Sequence, residues 1–559
     1  MFVFRRGLPL LRIIIVIAVI NGCSSSKQVS KTDTETLNNL HNHIQYLADD
    51  KLEGRRTGTP GEQLAVDYIT KQFEKIGLSP KGTEYYIQSF IVNDGKQIDS
   101  TTFLSINGEK LETGKDFFPF PFSPDIKLQA IPSIAVMEAA MPWFFDLKDP
   151  LNENKNNPHF DIEDYVRKNS QRAAERGASA VFLYNTSSID DKLEFNAKDR
   201  SEQLKIPVIY IKKGPAKKFF SDLTAAVTVN MNVSLSEKTR LGHNVIGYID
   251  NKAPTTVILG AHFDHLGYGE DGNSRNTSHE PAIHNGADDN ASGTAALIEL
   301  ARKLKTSKAK SNNYLFIAFS GEELGLFGSK YFTEHPTIDL SSADYMINMD
   351  MVGRLNDSTK VLTVGGYGTS PAWGSFYQMY DIAHVKRTEL NFKYDSSGTG
   401  PSDHTSFYRK DIPVLFYFTG LHADYHKPSD DADKINYEGE LLIVDHILKL
   451  IESLDNQPKL AFTKTRETQT TTSARFSVSM GIMPDYTYPG SGVRADGVSE
   501  GKPAQKAGLI AGDVIIQIGD YSVSSLENYM QALGKFKKGD KTKVKFKRGE
   551  EIKEATIEF

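Results

Sequence analysis

Only one cysteine, Cys23, occurs in the 559 residues, so no internal disulfide can close and the fold must rest on core packing or on a metal. Basic residues are not in excess: 65 Lys and Arg stand against 71 Asp and Glu, and the net charge of −6 leaves nothing to neutralise phosphates. No run of Lys or Arg is interleaved with stacking aromatics, which argues against a nucleic-acid partner. The apolar stretch at residues 13–20 falls short of the ~20 residues a bilayer-spanning helix needs. What remains is ordinary globular composition, 39% apolar and 24% charged, in a chain long enough for several domains.

Arg5, Arg6 and Arg12 flank or interrupt that stretch, which ends in Ile20-Asn21-Gly22-Cys23. The segment resembles a bacterial lipoprotein signal, in which small residues precede a cysteine that is acylated and becomes the mature N-terminus. The resemblance implies a signal peptide over residues 1–22, a lipid anchor on Cys23, and a place in the bacterial cell envelope, periplasmic or surface-facing. Residues 23–36 are rich in Ser, Thr, Lys and Asp and read as a polar tether with little to bury.

Past the tether, Leu40, Ile44 and Leu47 recur at helical spacing, residues 54–61 are punctuated as a loop, and residues 65–76 read as an amphipathic helix stopped by Gly77. Residues 101–239 change character, with short strands, a helix carrying Val166, Ala173 and Ala174, and apolar runs at 180–184 and 206–211. From about residue 243, apolar runs at 257–261, 314–319, 345–349, 361–364 and 413–418 alternate with helical or loop stretches. One such helix places Leu297, Leu300, Ala301 and Leu304 on a face. Strands alternating with helices predict an α/β domain over 37–100 and 240–458, a mainly parallel mixed sheet sandwiched by helices. A Thr- and Gln-rich linker at 463–472 separates it from a last domain at 473–559.

In open α/β sheets ligands gather outside the carboxyl ends of the strands. Those ends hold His262-Phe263-Asp264, Ser320-Gly321-Glu322-Glu323, Asp350 and a loop bearing His426. Between the first two lies the acidic, Gly-flanked turn Gly286-Ala287-Asp288-Asp289-Asn290-Ala291-Ser292-Gly293. Imidazole and carboxylate are the ligands zinc takes when no thiolate is offered, and two His with several Asp and Glu suffice for a pair of ions about 3.5–4 Å apart sharing one carboxylate. A lone His or Asp at a strand end is more often a cap; five at successive strand ends point to metal.

These residues resemble the zinc-dependent M28-type aminopeptidases. The likeness is carried by the motifs above together with Leu52-Glu53-Gly54-Arg55, Gly58-Thr59-Pro60-Gly61, Asn244-Val245-Ile246-Gly247, Asn348-Met349-Asp350-Met351-Val352-Gly353 and Tyr425-His426-Lys427-Pro428-Ser429-Asp430. It implies two Zn2+ per chain, with Asp288 bridging both, Glu323 and His426 completing one site, and His262 with Asp350 the other. Asp264 would orient the His262 ring, and Glu322 would be the general base, taking a proton from the attacking water and returning it to the leaving amine. It further implies a cis peptide between Asp288 and Asp289, peptide substrates, and an inserted domain at 101–239 that resembles the protease-associated (PA) domain. His265, His284, His404 and His422 fall outside the ligand pattern and read as hydrogen-bonded or rim residues. Carboxypeptidase, glutaminyl cyclase and non-catalytic scaffold readings of the same fold stay open.

Residues 501–518 and the upstream Ser479-Met480-Gly481-Ile482 resemble a PDZ domain. The resemblance implies that this Gly-flanked loop offers backbone N–H groups to a peptide carboxylate while the adjoining strand pairs with the peptide, a place for a peptide or protein partner.

With Cys23 the only anchor in view, Cys23→Ala should release the protein from membranes or block its maturation, because the acyl chains contribute about 0.8 kcal/mol per buried CH₂. Fractionation and the mass of the mature N-terminus read the outcome; an unchanged membrane-bound, processed form would remove the lipoprotein reading.

Overall fold

The computed structural model describes residues 31–155, 160–197, 199, 201–276, 278, 280–383, 390–465, 478–485, 488, 490–498, 501–537 and 539–559. The signal segment and Cys23 lie outside them. A helix, Lys31–Leu47, begins inside the expected tether. Thr36 within it is fully buried and accepts from Arg302 at 3.1 Å, so folding starts some residues earlier than composition implies. Among the described residues no helix is long and apolar enough to cross a membrane.

A nine-stranded mixed sheet forms the centre. Its middle is parallel: Asn312–Phe319, Thr255–His262, Ala343–Met349 and Val414–Phe418 lie side by side with the same direction. Leu235–Ile249 adds to one side and Val361–Gly365 to the other, both antiparallel. Every residue of Asn312–Phe319 and Ala343–Met349 is buried, because helices cover both faces. Alternation divides the side chains: Val257, Leu259, Tyr314, Phe316 and Ala318 pack towards Leu40, Ile69, Leu297 and Ile447 on the flanking long helices. Ile258, Leu315, Ile317 and Phe319 pack the other way, against Phe332 and Phe407. The expected fold class is what the chain adopts.

In-register pairing of His262 with Phe319 brings two of these strands to a common end, and Met349 and Phe418 close the same edge. Four loops therefore leave the sheet together. The helix Pro60–Ile76 braces this edge, with Thr59 as N-cap and Gly77 as left-handed C-cap.

The inserted domain is reached and left along an antiparallel ribbon of Ile87–Ile98 against Leu235–Ile249. Its expected limits, 101 and 239, are offset for that reason: the chain crosses from one domain to the other inside a continuous strand, where no composition break marks the passage. The insert holds two four-stranded sheets, one carrying Ala180–Tyr184 and Val208–Ile211, with the helix Ile162–Glu175 alongside.

The last domain has its own core, around Met480, Ala495, Ile515, Tyr529, Val544 and Ile557. Of the expected linker at 463–472, the described residues 463–465 are docked: Thr463 N–H donates to Thr369 C=O at 2.7 Å and Thr465 N–H to the Tyr408 hydroxyl at 2.9 Å. The domain touches both others, through Lys330 with Asp485 and through Arg167, which donates to Ser522 at 2.9 Å.

Gly61 tests how tightly the bracing helix sits. A Cβ there would lie 1.9 Å from the Leu52 carbonyl oxygen, a backbone atom that cannot yield. Gly61→Ala should therefore destabilise the protein by about 1–3 kcal/mol, read from the denaturant midpoint, with the slope unchanged.

Candidate metal centre

At the common strand edge, two imidazoles and four carboxylates converge. His262 Nε2 lies 3.4 Å from Asp350 Oδ1 and 3.4 Å from Asp289 Oδ1. The other oxygen of the same carboxylate, Asp289 Oδ2, lies 3.3 Å from His426 Nε2, which is 3.2 Å from Glu323 Oε2. Glu322 stands beside the first group, its Oε2 4.0 Å from His262 Nε2. The donor atoms of His262, Glu322 and Asp350 fall within 4.8 Å of one another, and so do those of His265, Asp289 and Glu323.

The bridging position thus falls to Asp289, and the expectation that Asp288 spans both halves is corrected. Asp288 is occupied elsewhere: its Oδ1 accepts from Gly353 N–H at 2.7 Å and from the Ser292 hydroxyl at 3.1 Å, while Oδ2 faces His422 Nε2 at 3.2 Å. The non-proline cis peptide likewise joins Asp289 to Asn290, one bond later than expected. Two further side chains hold the turn. Asp430 Oδ2 accepts from the backbone N–H groups of Asp288 and Asp289 at 3.0 and 3.1 Å. Asn290 Nδ2 donates to Met349 C=O, and its Oδ1 accepts from Met351 and Gly293 N–H. The turn is thereby tied to the loop of His426 on one side and the loop of Asp350 on the other.

Each imidazole is aimed through its second nitrogen. His262 Nδ1 faces the Asp264 carbonyl at 3.2 Å and its carboxylate at 3.6 Å, and His426 Nδ1 faces the Asn273 carbonyl at 2.9 Å. Asp264 is fixed in turn by Thr57 Oγ1 and by Glu322 N–H, each donating at 3.1 Å. His265 is more than a rim residue. It is buried and sits 2.7 Å from Glu323 Oε1, a hydrogen-bond distance that leaves Oε2 to face His426. Beneath the centre, the fully buried Arg55 donates to the carbonyls of Phe263, Asn285 and Gly286, and to Leu47. Burial draws its guanidinium down to about 10, and it stays charged at neutral pH. His404 stacks flat on Phe416 at 4.5 Å, and burial pulls it down to about 3, a neutral packing ring. His284 shares a hydrogen bond with Ser274 at 2.7 Å, away from the ligand set.

The electrostatics ask for positive charge. Burial pulls the His426 imidazole down, but Glu323 and Asp289 outweigh it and carry the ring up to about 11. Burial likewise opposes protonation of His262, yet Glu322 and Asp350 raise it well above its usual range. Burial, helped by Asp350 and Glu323, pushes the Glu322 carboxyl well up. The donor set fits a metal pair on geometry as well: bonds of about 2.0–2.1 Å in a tetrahedral site separate ligand atoms by roughly 3.3–3.4 Å. The spacings of 3.2–3.4 Å match this, and every donor is oxygen or nitrogen.

Comparison with known proteins agrees with the layout. Residues 244–451 match the model of peptidase family M28, and residues 475–559 match that of the PDZ domain. Aminopeptidase YwaD of Bacillus subtilis is 27% identical over 50% of this chain, which spans 57% of that relative's length. A probable lipoprotein aminopeptidase, LpqL, of Mycobacterium tuberculosis is 24% identical over 74% of this chain and 80% of its own. Among solved structures, an aminopeptidase from Aneurinibacillus is 24% identical, covering 77% of this chain and 96% of its own, with a TM-score of 0.41.

The two adjacent aspartates separate by experiment. Asp288→Asn keeps an oxygen for Gly353 and Ser292 and should hold its metal, whereas Asp289→Asn should lower bound zinc, measured by elemental analysis, towards one ion or none. Equal loss in both variants would remove the assignment of the bridge to Asp289.

Proposed function

We propose that this chain, which carries a peptidase family M28 domain over residues 244–451 and a PDZ domain over residues 475–559, is a zinc-dependent exopeptidase that removes N-terminal residues from peptides. The observation that carries this reading is the single Asp289 carboxylate with one oxygen towards His262 and the other towards His426. In it, His262 and Asp350 would hold one ion, Glu323 and His426 a second, and Asp289 would contribute to both. Bound there, the ions would polarise a substrate carbonyl and make water a stronger nucleophile at neutral pH.

The chain's own groups supply the proton transfers. Glu322 adjoins the ligands, is fixed through its N–H to Asp264, and carries a carboxyl whose burial favours holding a proton. It takes a proton from the attacking water at Oε2 and delivers it to the leaving amine. Asp264 keeps the His262 ring in orientation throughout. The carboxylates crowding this mouth favour a substrate's α-ammonium group. Arg55 is spent on backbone carbonyls and Arg354 pairs with Asp424 at 3.0 Å, which leaves neither poised for an α-carboxylate. Attachment to the envelope through Cys23, and a PA-like character for the insert, complete the proposal.

Glu322→Gln preserves size but cannot accept the proton, so it should bind close to two zinc ions and lose roughly 10²-fold or more in kcat. Glu323→Gln should instead lose metal along with activity, and excess zinc should partly restore it. Zinc content and saturating rates on both variants decide the matter. Substantial turnover by Glu322→Gln at full zinc occupancy would remove it as the base.

A further inference from the structure

A cavity of about 320 Å³ opens beside Glu323, and its walls come from the peptidase and PDZ domains, with Asn196 added from the insert. Asn273, Glu323 and Phe327 line it from the peptidase side; Pro484, Tyr488 and Leu526 line it from the PDZ side. Glu323 belongs to the centre itself, so the cavity reaches the proposed chemistry. Pro484 ends the strand Ile482–Pro484, and Leu526 begins the helix Leu526–Leu533. The cavity therefore runs from Glu323, the one residue of the centre that lines it, to one end of the groove between that strand and that helix.

The groove has a direction. Among the described residues Ile482–Pro484 is an edge strand, paired with Val493–Val498 on one side, so its other edge is placed to take an added strand. Leu526, Met530 and Leu533, at i, i+4 and i+7, put an apolar face on the helix; Leu533 is buried in the domain core, and Leu526 and Met530 pack against it while staying partly exposed. Met480 and Ile482 turn into the domain core and Gly481 adopts a φ of 84°, which leaves backbone rather than apolar side chains at the head of the groove. A peptide with its α-carboxylate at that loop must run along the strand towards Pro484. Its upstream residues then leave between Pro484 and Leu526, into the cavity that ends at Glu323. Asp485, next to Pro484, is buried and pairs with Lys330 of the peptidase domain and with Arg494, which clamps this end of the groove in place.

We propose that one extended peptide occupies both places at once, its C-terminal segment in the PDZ groove and its N-terminus at the metal centre, so that the enzyme selects peptides of limited length with a free C-terminal carboxylate and an apolar last residue. This rests on the exopeptidase reading above. The full-length, zinc-loaded protein should be assayed on a ladder of peptides sharing an N-terminal leucine and a C-terminal valine, each as free acid and as amide, with leucine p-nitroanilide beside them. Within a window of lengths the free acid should exceed the amide at least 10-fold in kcat/KM, through KM, and an N-acetylated free-acid peptide should inhibit peptide turnover. Met530→Glu, on the half-buried groove face, should bring the acid-to-amide ratio to about one; this ratio does not depend on the fraction of folded enzyme. Acid and amide within twofold at every length, with the anilide cleaved, would overturn the proposal even if the variant does not fold. A ratio unchanged in folded Met530→Glu would overturn it too. Failure to cleave the anilide and every peptide would sink the exopeptidase reading itself, and this inference with it.

Discussion

Asp289 offers one oxygen towards His262 and the other towards His426, and the rest of the peptidase domain can be read as what it takes to keep that carboxylate there. Acidic groups whose oxygens lie within 4.8 Å of one another, as in Glu322 with Asp350 and Asp289 with Glu323, cannot share a buried space without compensating positive charge. In this protein the compensation comes in two forms. Arg55 lies below the centre and never reaches the carboxylates directly; it holds the carbonyls of Phe263, Asn285 and Gly286 and so shapes the backbone from which His262 and Asp289 project. The imidazoles, raised by their acidic neighbours, supply charge at the centre as protons, and divalent ions would displace those protons at the same positions.

Because the ligands come from four separate loops, their mutual geometry depends on ties between loops more than on any one of them. Asp430, four residues after His426, reaches back to two N–H groups of the turn that carries Asp289, and Asn290 binds that turn to the segment of Asp350. Asp288 adds a third tie through Gly353. An acid that looks redundant in the sequence is thus a structural anchor. A change at Asp430 or Asn290 would be felt at both halves of the centre, although neither side chain belongs to the ligand set.

The sheet was legible because its strands are buried on both faces and read as continuous apolar runs, and four of the five proposed ligand positions, His262, Glu323, Asp350 and His426, could be named because each follows such a run or stands in a loop beyond one. The fifth was displaced by one residue. Strand and helix periodicity assign side-chain direction only where the backbone is regular, and the turn is not: Asp289 and Asn290 take non-helical φ, ψ values of −105°, 92° and −135°, 48°. Two adjacent aspartates there cannot be ordered by spacing. His265 was read as a hydrogen-bonded or rim residue, and it is the fold that supplies its partner, Glu323 at its Nδ1. Arg55 gave no signal beyond its place in a motif, because a buried arginine serving carbonyls has no partner nearby in sequence. The limits of the insert were blurred by the ribbon that carries them.

What composition could least foretell is the relation between domains. A chain without disulfides holds its PDZ domain to the others by polar contacts, among them Lys330 with the buried Asp485 and the partly exposed Arg167 with Ser522. Their placement matters more than their strength. Lys330 lies on the helix Phe327–Glu334, which follows the loop of Glu322 and Glu323, so the PDZ domain is fastened to the element next to the acidic half of the centre. A groove fixed there constrains the path by which an extended chain approaches Glu323, and a rigid folded surface, having no free strand to pass between Pro484 and Leu526, cannot follow it.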